Sequence, residues 1–294
     1  MRLQRGFTLI ELIVVISLLG VISLVSVGFI TSTVQGYADL TRRDQLSSAV
    51  RVAVERMARE LRNALPNSIR VNSDGTCLEF IPTLAASVYV SVPLSASAAS
   101  TSFSSVPYAV EPSSGRIAVY PIDSNGSDEP ARPVANNPIY DLDTHSIISP
   151  LMQVGNVLQA SAGEVSVLLS ASHRFPADSP AKRYFIVDEP VSFCVEGTDL
   201  YRYQGESGSS YSYAETQASQ ALLSGLTEPN RQLLASDVLS NPSGSQPFAF
   251  SDATLQRNGI VLFDLYVEDQ NITAADPTQE SVRVQFEVQV KNVP

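Results

Sequence analysis

Gly6-Phe7-Thr8-Leu9-Ile10-Glu11-Leu12 opens an apolar run that lasts to Ile30. From Phe7 the run holds 24 residues, about 36 Å as helix at 1.5 Å per residue. That length spans a bilayer core of about 30 Å. Arg2 and Arg5 precede it, so the positive-inside rule keeps the N-terminus cytoplasmic and sends the remainder across. The run is too long for an ordinary cleaved signal, and Ser23-Leu24-Val25-Ser26-Val27-Gly28 offers only a poor small-x-small site. A plain membrane anchor fits the length but leaves Glu11 unexplained, because a carboxylate in hydrocarbon costs on the order of 3 kcal/mol.

Beyond Ile30 the apolar residues space out. Leu46, Val50, Val54, Met57, Leu61 and Leu65 recur at intervals of 4, 4, 3, 4 and 4, one stripe of a helix of period 3.6. Arg42, Arg43, Arg51, Arg56, Arg59, Glu55 and Glu60 fall largely on other faces. Glu55 and Arg59 make a favourable i,i+4 pair. Pro66 disfavours helix at Leu65. The spacing predicts one helix from Thr8 to Leu65, about 87 Å long. Residues 7–30 are apolar all round and 31–65 amphipathic, with Gly20, Gly28 and Gly36 as points of bending. An independent coiled coil is the weaker reading, since the stripe covers only about three heptads.

The basic leader, Gly6, Phe7 and Glu11, all opening one hydrophobic helix, resemble the type IV prepilin (class III) signal. The resemblance implies that residues 1–6 are a leader, cut between Gly6 and Phe7 by a membrane prepilin peptidase on the cytoplasmic side. It implies N-methylation of Phe7 and retention of the helix, in pilin fashion, with a globular head packed on its far half. The implied partners are that peptidase, the membrane, an inner-membrane assembly platform, a major pilin and other minor pilins. Glu11 is then the assembly residue. In a filament core an unpaired carboxylate is costly, and the Phe7 amine of a neighbouring subunit would neutralise it. A carboxylate that snorkels to the interface is the alternative.

From residue 67 the period switches to 2. Thr76–Ile81, Val88–Val92, Arg116–Ile122 and Glu164–Ser170 read as strands. Lys182–Val187 and Val191–Glu196 are joined through Asp188-Glu189-Pro190, and the turn at Glu196–Asp199 into Leu200–Tyr203 suggests a meander. Ser87–Ser105, with eight serines in nineteen residues, reads as a surface loop. Gln204–Gln220 also reads as loop, and Gln217–Leu223 and Arg231–Leu239 as short helical turns. Ile260–Glu268 and Ser281–Val290 are the clearest strands. In the second, Val282, Val284, Phe286, Val288 and Val290 alternate with Arg283, Gln285, Glu287 and Gln289, so one face is buried and the other solvated. The expected class is α+β: a long N-terminal helix packed on a mainly antiparallel β-sheet, with residues 66–294 forming a β-rich head.

Several short stretches resemble one branch of minor pilins, the MshO type of the mannose-sensitive haemagglutinin (MSHA) pilus of Gram-negative bacteria. They are Glu60-Leu61-Arg62-Asn63-Ala64-Leu65-Pro66, His173-Arg174-Phe175-Pro176, Arg183-Tyr184-Phe185-Ile186-Val187 and the last strand with Lys291-Asn292-Val293-Pro294. This resemblance implies a low-abundance subunit at or near a pilus tip, with a role in starting assembly. The implied location is the inner membrane first and the cell-surface pilus afterwards.

Composition narrows the alternatives. The chain has 294 residues, 44% of them hydrophobic, which is enough for a sizeable core. Its formal charge is −11, so it would repel nucleic acid. Residues 31–65 carry six arginines against four acids, whereas residue 66 onward carries eleven basic and twenty-five acidic groups. Two histidines and two cysteines exclude a zinc finger or a multi-histidine metal centre. Cys77 and Cys194 lie in expected strands outside the membrane. An oxidising periplasm favours a disulfide between them, against two buried free thiols.

The remaining candidates are weaker. Asp123, Asn125 and Asp128 resemble half a calcium loop that Asp141 and Asp143 would complete. The spaced terminal Glu of an EF-hand is missing, an Asp/Asn/Gly turn accounts for them, and no metal or other cofactor is expected. His145 and His173 sit in no catalytic motif. Tyr201, Tyr203, Tyr211 and Tyr213 are a contact patch or ordinary strand and loop tyrosines. No nucleophile elbow, Walker A, zincin or paired-carboxylate pattern is present, so no enzyme is expected. The competing functions are a minor pilin, a minor pseudopilin of type II secretion, and a tip adhesin.

Overall fold

Leu9–Leu61 forms one helix, α1. The computed structural model describes residues 8–107, 114–122, 138–140, 142, 146–152, 158–160, 163–205, 213, 230–239, 244–251, 258–268 and 281–290. The helix stops four residues short of the expected end. Its last turn tightens, with Asn63 and Ala64 N–H donating to the Glu60 and Leu61 carbonyls at 3.0 Å. Leu65, kept out of helical geometry by Pro66, donates its N–H to Ile81 O at 2.7 Å instead.

Among the described residues sixteen strands make three sheets rather than one, and all named pairings are antiparallel. The first sheet orders β1 (Arg70–Val71), β2 (Cys77–Phe80), β10 (Val191–Glu196), β11 (Asp199–Gln204) and β12 (Arg231–Ser236). The second has β15 (Gly259–Glu268) at its centre. One edge of β15 carries β16 (Ser281–Val290) in unbroken ten-residue register, and the other carries β13 (Val238–Leu239) and β14 (Phe248–Ser251). Asp237, at φ 62°, kinks the chain as it passes from β12 to β13. Together these two sheets wrap the far half of α1. Val50, Val54, Met57 and Leu61 are buried against Phe80, Phe193, Phe263 and Val288, each large side chain contributing about 1.5–3 kcal/mol by removal from water.

The third sheet lies between β2 and β10 in the chain. It orders β6 (Ile148–Leu151), β5 (Arg116–Val119), β9 (Arg183–Val187), β3 (Thr83–Ser91), β4 (Ser100–Ser105), β8 (Glu164–His173) and β7 (Leu158–Ala160). It curls round until Met152, just past β6, bridges Leu169 of β8. His173 reinforces that seam, its buried ring donating from Nε2 to Ser146 O at 3.0 Å. The interior is filled by Tyr89, Phe103, Val167, Phe175, Tyr184 and Ile186. Phe103 meets Tyr184 edge-on at 5.4 Å between ring centroids.

Three further expectations are corrected. Ser87–Ser105 is not one loop: it supplies the last five residues of β3 and all of β4, with a connection only over 92–99. The serine content is compatible with strand since side chains alternate. Ser105, on the buried side, shares a 2.7 Å hydrogen bond with the Tyr184 hydroxyl. Arg231–Leu239 is β12 and β13, not helical turns. The meander is only half present: β10 and β11 form a hairpin, while β9 pairs with β3 and β5 in the third sheet. The leader, Phe7, the Asp123–Glu129 segment, Asp141, Asp143, His145, Gln217–Leu223 and Lys291–Pro294 lie outside the described residues.

Candidate assembly site

Thr8 caps α1. Its backbone is extended and its Oγ1 accepts the Glu11 N–H at 3.4 Å, which satisfies one of the unpaired donors of a helix start. Glu11 thus stands at the third helical position, where a carboxylate faces the positive end of the helix dipole. It is exposed, and no described side chain forms a salt bridge with it.

Every residue from Thr8 to Ala38 is exposed. Leu9, Leu24 and Phe29 expose 77%, 77% and 71% of their surface, far more apolar area than a protein leaves in water without a partner or a membrane. Several hydroxyls within this rod close on its own backbone. Ser17, Thr31 and Thr33 donate to the carbonyls of Ile13, Val27 and Phe29, each at 2.8 Å. Their presence therefore costs little in an apolar medium.

The head grips the rod at its far end. Glu60 accepts from Arg202 on β11 and from Arg56 one turn back. Arg56 also donates to Gln232 on β12 at 2.7 Å, and Arg202 to Gln204, which in turn reaches Asp188. Sequence reading placed Glu60 and Arg56 among the outer-face charges. The i,i+4 pair read from the sequence is Glu55–Arg59, and nothing local points to Arg202, 142 residues from Glu60.

Residues 1–27 match the family model described as the prokaryotic N-terminal methylation motif. No curated protein and no solved structure matches the chain. The motif and the long apolar helix together support a type IV pilin-like or pseudopilin protein: a structural subunit, processed by a prepilin peptidase and assembled with membrane machinery.

The other sequence candidates resolve as follows. Cys77 and Cys194 form a disulfide between facing positions of β2 and β10, with Cα atoms 4.2 Å apart. Both are buried, packed against Tyr203. The tyrosine patch does not form among the described residues. Tyr203 and Tyr213 are buried, and Tyr201 is half-buried beneath the Arg231 guanidinium, 3.8 Å from the ring centroid. Burial pushes the Tyr201 and Tyr203 hydroxyls up from their ordinary pKa, with nearby carboxylates adding to the effect. Tyr211 lies outside the described residues.

Proposed function

We propose that this chain is a minor subunit of a type IV pilus of the MSHA type, starting or capping assembly near the tip. The observation that supports the reading is the union of the methylation motif with a rod exposed along its whole length from Thr8 to Ala38. Before assembly the rod lies in the inner membrane of a Gram-negative cell, with the N-terminus cytoplasmic and the head outside. Cleavage between Gly6 and Phe7 frees an amine at Phe7. During assembly the rod leaves lipid and buries among the helices of a major pilin and other minor pilins. There an unpaired Glu11 is costly, so the carboxylate takes up the Phe7 amine of a neighbour and sets the axial register.

Mass spectrometry of filaments sheared from the cell surface tests this. The expected result is a chain beginning at N-methylated Phe7 and present in the filament fraction. A native chain beginning at Met1, or beyond Ile30, overturns the reading. Absence from surface filaments combined with loss of protein secretion on deletion supports a type II pseudopilin instead. A role as tip adhesin adds cell or glycan binding to the filament result.

A further inference from the structure

The third sheet is an insertion with its own core. Among the described residues, the cluster around α1 draws on the chain up to Phe80 and again from Val191 onward, with no member between. Among the described residues, the cluster inside the curled sheet draws only on the chain between Ala85 and Ile186. Both ends of the insert leave at one neck, because Phe80 and Val191 face each other in the β2–β10 register and Cys77–Cys194 cross-links the same two strands. A smaller cluster fills the neck, with Leu65, Ile81, Tyr140, Phe185, Val187 and Tyr213 among its members. Polar bonds seal it: Thr83 N–H to Asn63 O at 2.8 Å, Tyr140 hydroxyl to Ser68 O at 2.8 Å, and the Asn67 amide to Pro121 O at 2.7 Å.

From this partition we infer that residues 81–190 are a separable lobe, required neither for folding of the lobe on α1 nor for building that lobe into a filament. Strands β2 and β10 are already antiparallel neighbours, so a short turn between Phe80 and Val191 restores a hairpin and shortens the loop to be closed. Excision uncovers little that cannot meet water. Arg70 and Glu79, paired at 2.9 Å beneath Tyr140, become a solvated ion pair. Leu65 on the α1 connection and Tyr213 lose their cover in the neck cluster; Leu65→Ser removes the first liability, and the Tyr213 hydroxyl gives the second a polar tip for water. The filament half of the inference rests on the proposed function; the folding half does not.

The test replaces residues 81–190 of the full chain with Asn-Gly or with Gly-Asn-Gly-Ser, each with and without Leu65→Ser. Non-reducing electrophoresis reads the Cys77–Cys194 bond, and immunoblots of membrane and sheared-filament fractions read anchoring and incorporation. The expected result, in at least one variant, is disulfide-bonded protein and filament incorporation within about twofold of the intact chain. Reduced or degraded protein from all four variants overturns the inference. Oxidised, membrane-held protein absent from filaments that contain the intact chain overturns its filament half. An intact chain that itself never enters filaments overturns the proposed function and leaves the folding half to be decided by the disulfide.

Discussion

Arg202 Nε donates to Glu60 Oε2 across 2.8 Å, tying β11, the strand between β10 and β12, to the last turn of α1. The same carboxylate accepts from Arg56 Nε at 3.2 Å, and the Arg202 side chain is only 13% exposed. Removing the charge leaves two guanidinium groups without their shared partner. Glu60→Gln is expected to destabilise the lobe on α1 by about 1–3 kcal/mol. Urea unfolding of the detergent-solubilised chain measures the shift, and an unchanged midpoint contradicts it.

Glu11→Ala is expected to leave insertion and processing intact while lowering incorporation into filaments several-fold. The carboxylate lies outside the head and meets no described basic partner, so its loss has no effect on folding. Comparing membrane and filament fractions separates the two steps. Full incorporation of this variant would remove Glu11 from the assembly mechanism.

Cys77→Ser with Cys194→Ser opens a loop of 117 residues. The chain-entropy treatment gives about 4–5 kcal/mol as the ceiling of the loss. Because the insert keeps its own core, the larger part of the loss is expected in the lobe on α1. Hydrogen exchange of β2 and β10 against β3 and β9 reads the difference.

Gly115 has φ +152°, and an added Cβ would lie 2.8 Å from Ile186 Cγ2 and 3.0 Å from Val187 O. Neither neighbour has room to retreat, since both residues are buried in β9. Gly115→Ala is expected to cost about 1–3 kcal/mol, confined to the insert. Limited proteolysis should cut the insert first while the β15–β16 pair persists.

Asp264 is held by Arg283 in a two-pronged pair at 2.8 and 2.7 Å. Hydrogen bonding to that guanidinium lowers the Asp264 pKa below its ordinary value. A depressed carboxyl contributes stability in full above its unfolded pKa of about 3.9 and loses it as pH falls through the folded value. Arg283 is half exposed, so solvent screening keeps the contribution at neutral pH small. The gap between the intact chain and Asp264→Asn in urea midpoint should therefore be present at pH 7 and shrink below pH ~4.

The strongest periodicities carried over from sequence to structure. Ser281–Val290 is one strand throughout, but of its apolar face only Val288 and Val290 are buried, Val282 and Val284 are half-buried, and Phe286 is exposed. The apolar stripe from Val50 to Leu61 is the buried face of α1. Leu65 continued the stripe in sequence yet serves a different cluster, since its partner Ile81 comes from another part of the chain. In β4, serine hides the strand because its fitness there depends on a tyrosine hydroxyl 79 residues away. Arg231–Leu239 misleads because Leu234 and Val238 stand four apart, whereas Asp237 breaks the segment into strands of two sheets. Residues 187 and 191 are nearly adjacent in sequence and belong to different cores. No local pattern marks that boundary, because it is set by which strands pair at a distance. At the candidate site, Glu11 stands out in the sequence as a lone carboxylate in an apolar run, whereas the Glu60 clamp needed the third dimension.

The narrow neck at Phe80 and Val191 has an engineering consequence. A foreign domain whose own termini emerge side by side could be grafted there in place of the native lobe, leaving the strands at the junction in register. The head would then serve as a socket, exchanging its cargo while the stem beneath stays unaltered.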